Sequence, residues 1–425
     1  MKKLISILLV LMLSLSLVSV TAFAEGSSHK LTVWCWDPAF NIYAMQQAAE
    51  VYKAVDPAFE LDVIETPWND LQTKLTTAGM SSDAATLPDI FLCQDNAFQK
   101  NVISFPDLFT DITESGIDFT QFAPAKVAYS VVEGKNYGVP FDNGAVVQAV
   151  RTDVLEQAGY TVADVTDIDW NRYIEIGKDV LAKTGKPMMS GTAGEPDLVM
   201  IMLQSCGASL FNEDGTPNIA NNEAVKEVMK LFTTLVKEGI YVEVTGWDEY
   251  VGSFVNGNVA GTINGCWIMA SIQTAADQSG KWAITNIPSM PGIEGATNYS
   301  NNGGSSWAVS ANCKNTALAY DFLAKTFGGS VSFYEKILPS SGALATYLPA
   351  GESTVYAEPQ AFFGNDAVYA KITEFAGKIP SNNTGAYYYE ARDAVGVAMT
   401  AIVGGADIDA ALSDAQGTVE FAMGV

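Results

Sequence analysis

The chain has 425 residues with 48 acidic against 23 basic side chains, a formal net charge of -25, one histidine and five cysteines. Its length suits two lobes, and 11% aromatic with 17% charged residues argues against a long disordered chain. The acidity repels nucleic acid and anionic lipid, with no local basic patch to offset it. A single His29 removes the imidazole base, the Ser-His-Asp arrangement and any His-rich metal site.

Residues 1-24 have the three parts of a secretory signal. Lys2 and Lys3 precede an apolar run from Leu4 to Val20, and Ala22-Phe23-Ala24 supplies a small-x-small cleavage site. Loss of the two lysines makes the net charge -27. No later stretch offers the roughly 17 to 25 apolar residues of a membrane span. Glu25 rather than cysteine follows Ala24, so a lipoprotein is not expected. Cys35, Cys93, Cys206, Cys266 and Cys313 show neither CxxC pairs nor compact ligand spacing. Buried free thiols are the leading expectation, with a Cys35–Cys93 pair as the alternative if their strands are neighbours.

In chain order, Leu31 to Trp36 reads as a strand, Ile42 to Val55 as a helix stopped by Asp56-Pro57, and Phe59 to Ile64 as a second strand. A helix from Trp68 to Met80 and a strand from Leu87 to Leu92 continue the α/β alternation before a short Phe98 to Val102 segment. Parallel strands would bring Trp36, Asp37, Gln94, Asp95 and Asn96 together at their C-terminal ends. Tyr137 to Gly144 is a candidate hinge leading into a strand from Ala145 to Arg151. Helices are then expected at Asp153 to Gly159, Trp170 to Thr184, Asp197 to Cys206, Asn222 to Gly239 and Tyr250 to Asn256. Strands begin near Pro187 and run from Ala260 to Asn264. The glycine- and proline-rich stretch from Trp282 to Ser306 precedes a return strand, Trp307 to Ser310, and a helix, Thr316 to Phe327. Ser332 to Ile337, Ala361 to Phe363, Asp366 to Lys371 and a helix from Tyr388 to Val403 imply further passages between lobes.

Flat aromatic rings can cover the C–H faces of a sugar, with core packing as the competing role. Trp34 and Trp36 share a strand face, but Trp36 is nearer the loop end, which favours Trp34 in the core and Trp36 at a cleft. Tyr43, Trp68, Trp247 in Thr-Gly-Trp-Asp, Trp267 after Gly265-Cys266, and the run Tyr387-Tyr388-Tyr389 are further stacking candidates. Trp307 could serve the ligand or lock the return strand. Asp37, Asp95, Asp142 and Asn143 could fix hydroxyl directions or cap turns. Arg392, one turn after Tyr388, could bind a hydroxyl or anchor neighbouring acids. Paired carboxylates could build a glycosidase, yet 48 acids make such pairs uninformative. Phe211 to Asn218 lacks the full calcium-loop pattern, and Asn302 to Trp307 lacks a phosphate-loop lysine. No catalytic residue, metal or cofactor is expected.

The export signal, Leu31-Thr-Val-Trp-Cys-Trp-Asp37, Leu87-Pro-Asp-Ile90, Tyr137-Gly-Val-Pro140, Gly265-Cys-Trp267 and Gly304-Ser-Ser-Trp-Ala-Val309 together resemble the sugar-binding family of bacterial extracellular solute-binding proteins. The resemblance covers nearly the whole mature chain. It implies an α/β, two-lobed, periplasmic-binding-protein-like clamshell with discontinuous lobes and a central ligand cleft. The expected parts are 25–141 and 304–350 for the N-terminal lobe, and 142–303 and 351–425 for the C-terminal lobe. It further implies capture of an oligosaccharide and delivery to ABC permease subunits by a periplasmic or secreted monomer that is not an enzyme. Carried over by position, the implied contacts are Trp36, Asp37, Asp95, Asn96, Trp267, Gly304 and Ser305, with Asp142, Trp247, Tyr388 and Arg392 at the lobe edges. A polyamine- or peptide-binding transport protein, or a secreted glycoside hydrolase, remains the alternative.

Overall fold

The computed structural model describes residues 29–380 and 385–425, so the expected signal segment lies outside the described residues. The first lobe opens with β1 (Lys30–Cys35), α1 (Tyr43–Tyr52), β2 (Glu60–Glu65), α2 (Trp68–Ser81), β3 (Ile90–Gln94) and α3 (Asp95–Ser104). Period-two alternation decides the packing. Leu31, Val33 and Cys35 enter the core on one side of the sheet, while Trp34 enters the core on the other. A short helix α4 (Pro124–Ala128) and a small hairpin of β4 (Val131–Val132) and β5 (Lys135–Asn136) lead into β6 (Gly138–Arg151).

The second lobe follows with α5 (Thr152–Ala158), α6 (Trp170–Thr184), β7 (Met189–Thr192), α7 (Asp197–Ser205), α8 (Glu223–Lys237), β8 (Tyr241–Val244), α9 (Gly246–Val255), β9 (Gly261–Gly265), α10 (Ile268–Gln273) and β10 (Trp282–Thr285). Local signals set several bounds. Asp169 caps α6 by accepting from Arg172 N, and Gly185 ends it in a left-handed conformation. The chain returns through β11 (Asn301–Val309), α11 (Thr316–Lys325), α12 (Val331–Ser341), a short α13 (Leu348–Gly351), α14 (Val368–Ala376), α15 (Tyr388–Val403) and α16 (Ile408–Met423). Among the described residues, no helix is long and apolar enough to cross a membrane.

The main sheet has the order β10-β6-β11-β3-β1-β2, with β9 also paired to β6. Its β1–β2 and β1–β3 ladders are parallel, as the sequence suggests, but β11 runs antiparallel to both β3 and β6, so the sheet is mixed. β6 is the long crossing element. Its first part pairs with β11, and its second part, from Val146 to Val150, pairs with β9. The handover falls at Gly144, where a Cβ would lie 2.3 Å from the Asn302 carbonyl oxygen, so only glycine fits between the two crossing strands. Trp307 proves to be a core residue, fully buried between Phe141 and Phe327 with ring centroids 5.5 and 5.2 Å away. All five cysteines are free, and the considered Cys35–Cys93 bond is absent.

A buried charged knot holds the crossing. Asp95, in the first turn of α3, is ion-paired to Lys126 of α4, and its other oxygen accepts from Ser306 Oγ at 2.9 Å. Lys126 Nζ also donates to the Ser305 carbonyl at 3.1 Å, and Ser305 Oγ donates to Asp142 Oδ1. Asp142 and Ser305 face each other across β6 and β11. Gly304 sits directly over the pair at φ +102, with space for its absent Cβ blocked 2.6 Å from Asp95 Oδ2. Burial pushes both carboxyls above their usual range, against the opposing pull of the Lys126 charge. Asp142 is raised from 3.8 to about 6. Between those values the folded chain keeps the Asp142 proton while the unfolded chain has lost it, so stability falls as pH rises through this window and this contribution is flat above it. Asp142→Asn is therefore expected to lose less of its urea midpoint than the native chain as pH rises from 3.8 to about 6, the span of that titration. Parallel pH profiles for the two proteins would refute this.

Candidate ligand-binding cleft

The strand ends of the first lobe and the turn after β9 of the second present two aromatic groups. After β1, the half-buried Trp36 meets Trp68 at the start of α2 with ring centroids 5.3 Å apart in an edge-on arrangement. Trp68 in turn lies 6.0 Å from Tyr389 at the start of α15. On the other side, Trp267 and Trp247 are 5.7 Å apart, and Trp247 is 5.4 Å from Tyr250. Trp247 is 42% exposed, a high value for an indole without a reason to be wet.

Trp267 is fixed by the backbone of the return crossing. Its Nε1 donates to the Asn302 carbonyl at 3.1 Å, and the ring lies so close to Gly265 that a Cβ there would be 2.1 Å from Nε1. The Gly-x-Trp spacing therefore has a steric cause. Amides complete the support: Asn302 Nδ2 donates to Asn264 Oδ1 at 2.8 Å, and Asn264 Nδ2 donates to the Tyr250 hydroxyl at 3.0 Å. A ring held at its polar edge presents an apolar face with little entropy left to lose on binding.

The polar residues expected around the ligand are placed differently. Asp37 is buried and caps the turn after β1, accepting from Ala39 N at 2.9 Å and Phe40 N at 3.0 Å. Burial raises its carboxyl above the usual range while those two bonds lower it. Asp95, Asp142, Gly304 and Ser305 are brought together, but as the buried knot, where Lys126 and Ser306 satisfy Asp95 and Ser305 satisfies Asp142. Asn96 belongs to the first turn of α3 rather than to a loop. Tyr388 is buried. Arg392 takes the anchoring role. It is ion-paired to Glu195, to Asp197 at 2.8 Å and to Asp393 at 3.2 Å, with its guanidinium 5.9 Å over Tyr389. Three carboxylates leave this cation committed to the protein.

Sequence reasoning missed Lys126, and it weighed Trp68 and Tyr389 as aromatic candidates without placing them among the implied contacts. Lys126 is a lone cation in Pro-Ala-Lys-Val-Ala, and nothing in that pattern signals burial. Trp68 opens a helix, where an indole at the first position is open to the strand ends. Tyr389 was within reach of the sequence as part of the Tyr387-Tyr388-Tyr389 run. Among the described residues, no three His, Cys, Asp or Glu side chains gather to hold a metal ion.

Known proteins align with this architecture. The model of the family "Bacterial extracellular solute-binding protein" matches residues 46–332. A lactose-binding protein of Rhizobium radiobacter is 39% identical over 93% of this chain and 92% of its own length. An arabinooligosaccharide-binding protein of Bacillus subtilis is 26% identical over 76% of each chain. In three dimensions, the ABC transporter associated binding protein from B. animalis subsp. lactis Bl-04, solved with beta-1,6-galactobiose, superposes with a TM-score of 0.80 at 19% identity, covering 93% of this chain and 98% of the other. Maltose-bound MalE3 of T. maritima gives 0.75 at 17% identity over 92% and 99%. These likenesses establish the two-lobed fold, and with the family match and the relative at 39% identity the chain belongs to the bacterial extracellular solute-binding protein family.

Proposed function

We propose that this protein captures a galactose-containing disaccharide of the lactose type between its lobes and presents it, chemically unchanged, to the permease of an ABC importer. The observation that carries the reading is the pair of aromatic groups, Trp36–Trp68–Tyr389 at the ends of β1 and β3 and Trp247–Trp267 beyond the end of β9 against Asn302. Pyranose rings offer apolar C–H faces to such surfaces, and a neutral sugar is indifferent to the net charge of -27 left after removal of residues 1-24. The Rhizobium radiobacter relative supports the choice of lactose as the first ligand to test.

Trp36, Trp247 and Trp267 are the proposed stacking surfaces, with Asn96 and Tyr388 as polar neighbours. Asp37, Asp95, Asp142, Gly304, Ser305 and Arg392 would act from below, by holding those surfaces in place. The lobes would exchange at 141/142 and at 303/304, close to the knot, and again at 350/351. The protein would work as a monomer outside the cytoplasm after removal of residues 1-24, without a lipid anchor. Glycoside hydrolysis needs a carboxylic acid and a second carboxylate open to the scissile bond. Asp95 and Asp142 are instead turned into each other's network.

Calorimetric titration with lactose, followed by chromatography of the mixture, is expected to give saturable one-to-one binding and intact lactose. No binding, or released galactose and glucose, would reject the reading. Trp267→Ala is expected to weaken lactose binding by about 10- to 100-fold, the loss of about 1.4 to 2.7 kcal/mol of stacking and burial, with an unchanged circular dichroism spectrum. An unaltered affinity would remove Trp267 from contact with the sugar.

A further inference from the structure

Helices α3 and α15 come from different lobes, yet they meet along a continuous seam. Tyr389 donates its hydroxyl proton to Gln94 Oε1, and Lys100 forms an ion pair with Glu390. Lys100 Nζ also lies 5.4 Å over the Tyr387 ring. The Tyr389 ring reaches the first-lobe aromatic group at Trp68, 6.0 Å away, and packs with the cores of both lobes. Arg392, fixed by Glu195 and Asp197, backs the tyrosine from the second-lobe side. Rings at this separation are in contact, so no pyranose can pass between Trp68 and Tyr389. The other aromatic group has no comparable cover on Trp247, which is 42% exposed.

We propose that the α3–α15 seam is the closed end of a blind cleft. The terminal sugar abuts Trp36, Trp68 and Tyr389, and any further sugars leave past Trp247. The cleft then selects short oligosaccharides by one chain end and refuses internal segments of a longer polymer. Tyr389, with the Lys100–Glu390 pair behind it, is the specificity-determining wall. A wall acts by exclusion: a sugar added on the wrong end meets a packed ring and an ion pair it cannot replace. The inference rests on the sugar-binding reading and adds to it the orientation of the sugar and the end at which further residues can leave.

The test uses the full mature chain, lactose, and two trisaccharides, one extending lactose at its galactose end and one at its glucose end. By calorimetry, one trisaccharide is expected to bind within about threefold of lactose and the other at least about thirtyfold more weakly. Tyr389→Ala, and separately the Lys100→Met/Glu390→Gln pair, are expected to narrow that ratio by about tenfold or more. The paired variant serves if Tyr389→Ala does not fold. Equal binding of both trisaccharides, rejection of both, or a ratio unmoved in a folded variant would overturn the proposal. Should lactose itself fail to bind, the sugar reading falls, and the seam is decided by Lys100→Cys/Glu390→Cys. Oxidative cross-linking in that variant supports the closed end, and its absence overturns it.

Discussion

Two strands shared by two lobes must cross at a fixed point, and here that point is built from a buried ammonium and two buried carboxylates. Lys126 links the start of α3 to the backbone of β11, and Ser305 links β11 to Asp142 of β6. Such a group contributes little net stability, because the cost of desolvating the charges offsets most of their attraction. Its effect is positional. The charges find their partners only when α3, α4, β6 and β11 are all in register, and Gly304 admits them because it lacks a Cβ. Everything above the knot, including the Trp267 shelf on the Asn302 carbonyl, inherits its position from that register.

This arrangement divides labour between charge and surface. Charged groups near the crossing are paired internally, while the half-exposed residues are rings and amides. In the proposed reading, affinity comes from stacking and from directed amide contacts, and closure is the change in population that those contacts favour. Long-range repulsion among the many acids does not oppose a neutral ligand. The seam between α3 and α15 adds a constraint of shape, since it joins the lobes along one edge of the cleft.

Much of the architecture was legible because local rules and tertiary packing agree. α6 and α15 occupy the spans expected from their apolar spacing, Trp170–Thr184 and Tyr388–Val403. β1 reveals its two core faces by alternation. The failures have physical causes. The stretch with Pro140 and Gly144 does not read as strand in the sequence, yet from Gly138 it forms the first half of β6, with Gly144 at a close strand crossing. β10 is only four residues of a glycine- and proline-rich region, and α16 spreads a weak apolar face of Leu412, Ala415 and Val419 among small and acidic residues. At the site, aromatic positions such as Trp267 could be named from their turns. The buried network that takes up Asp95 and Asp142 could not, because it depends on Lys126, whose burial no local pattern signals, and on Ser305, far away in sequence.

Closure around sugar is the central claim, and small-angle X-ray scattering of the mature chain without and with saturating lactose measures it directly. A smaller radius of gyration with lactose, reversed on dialysis, is the expected result. Superimposable scattering curves from a sample shown by calorimetry to be fully occupied would contradict capture by lobe closure.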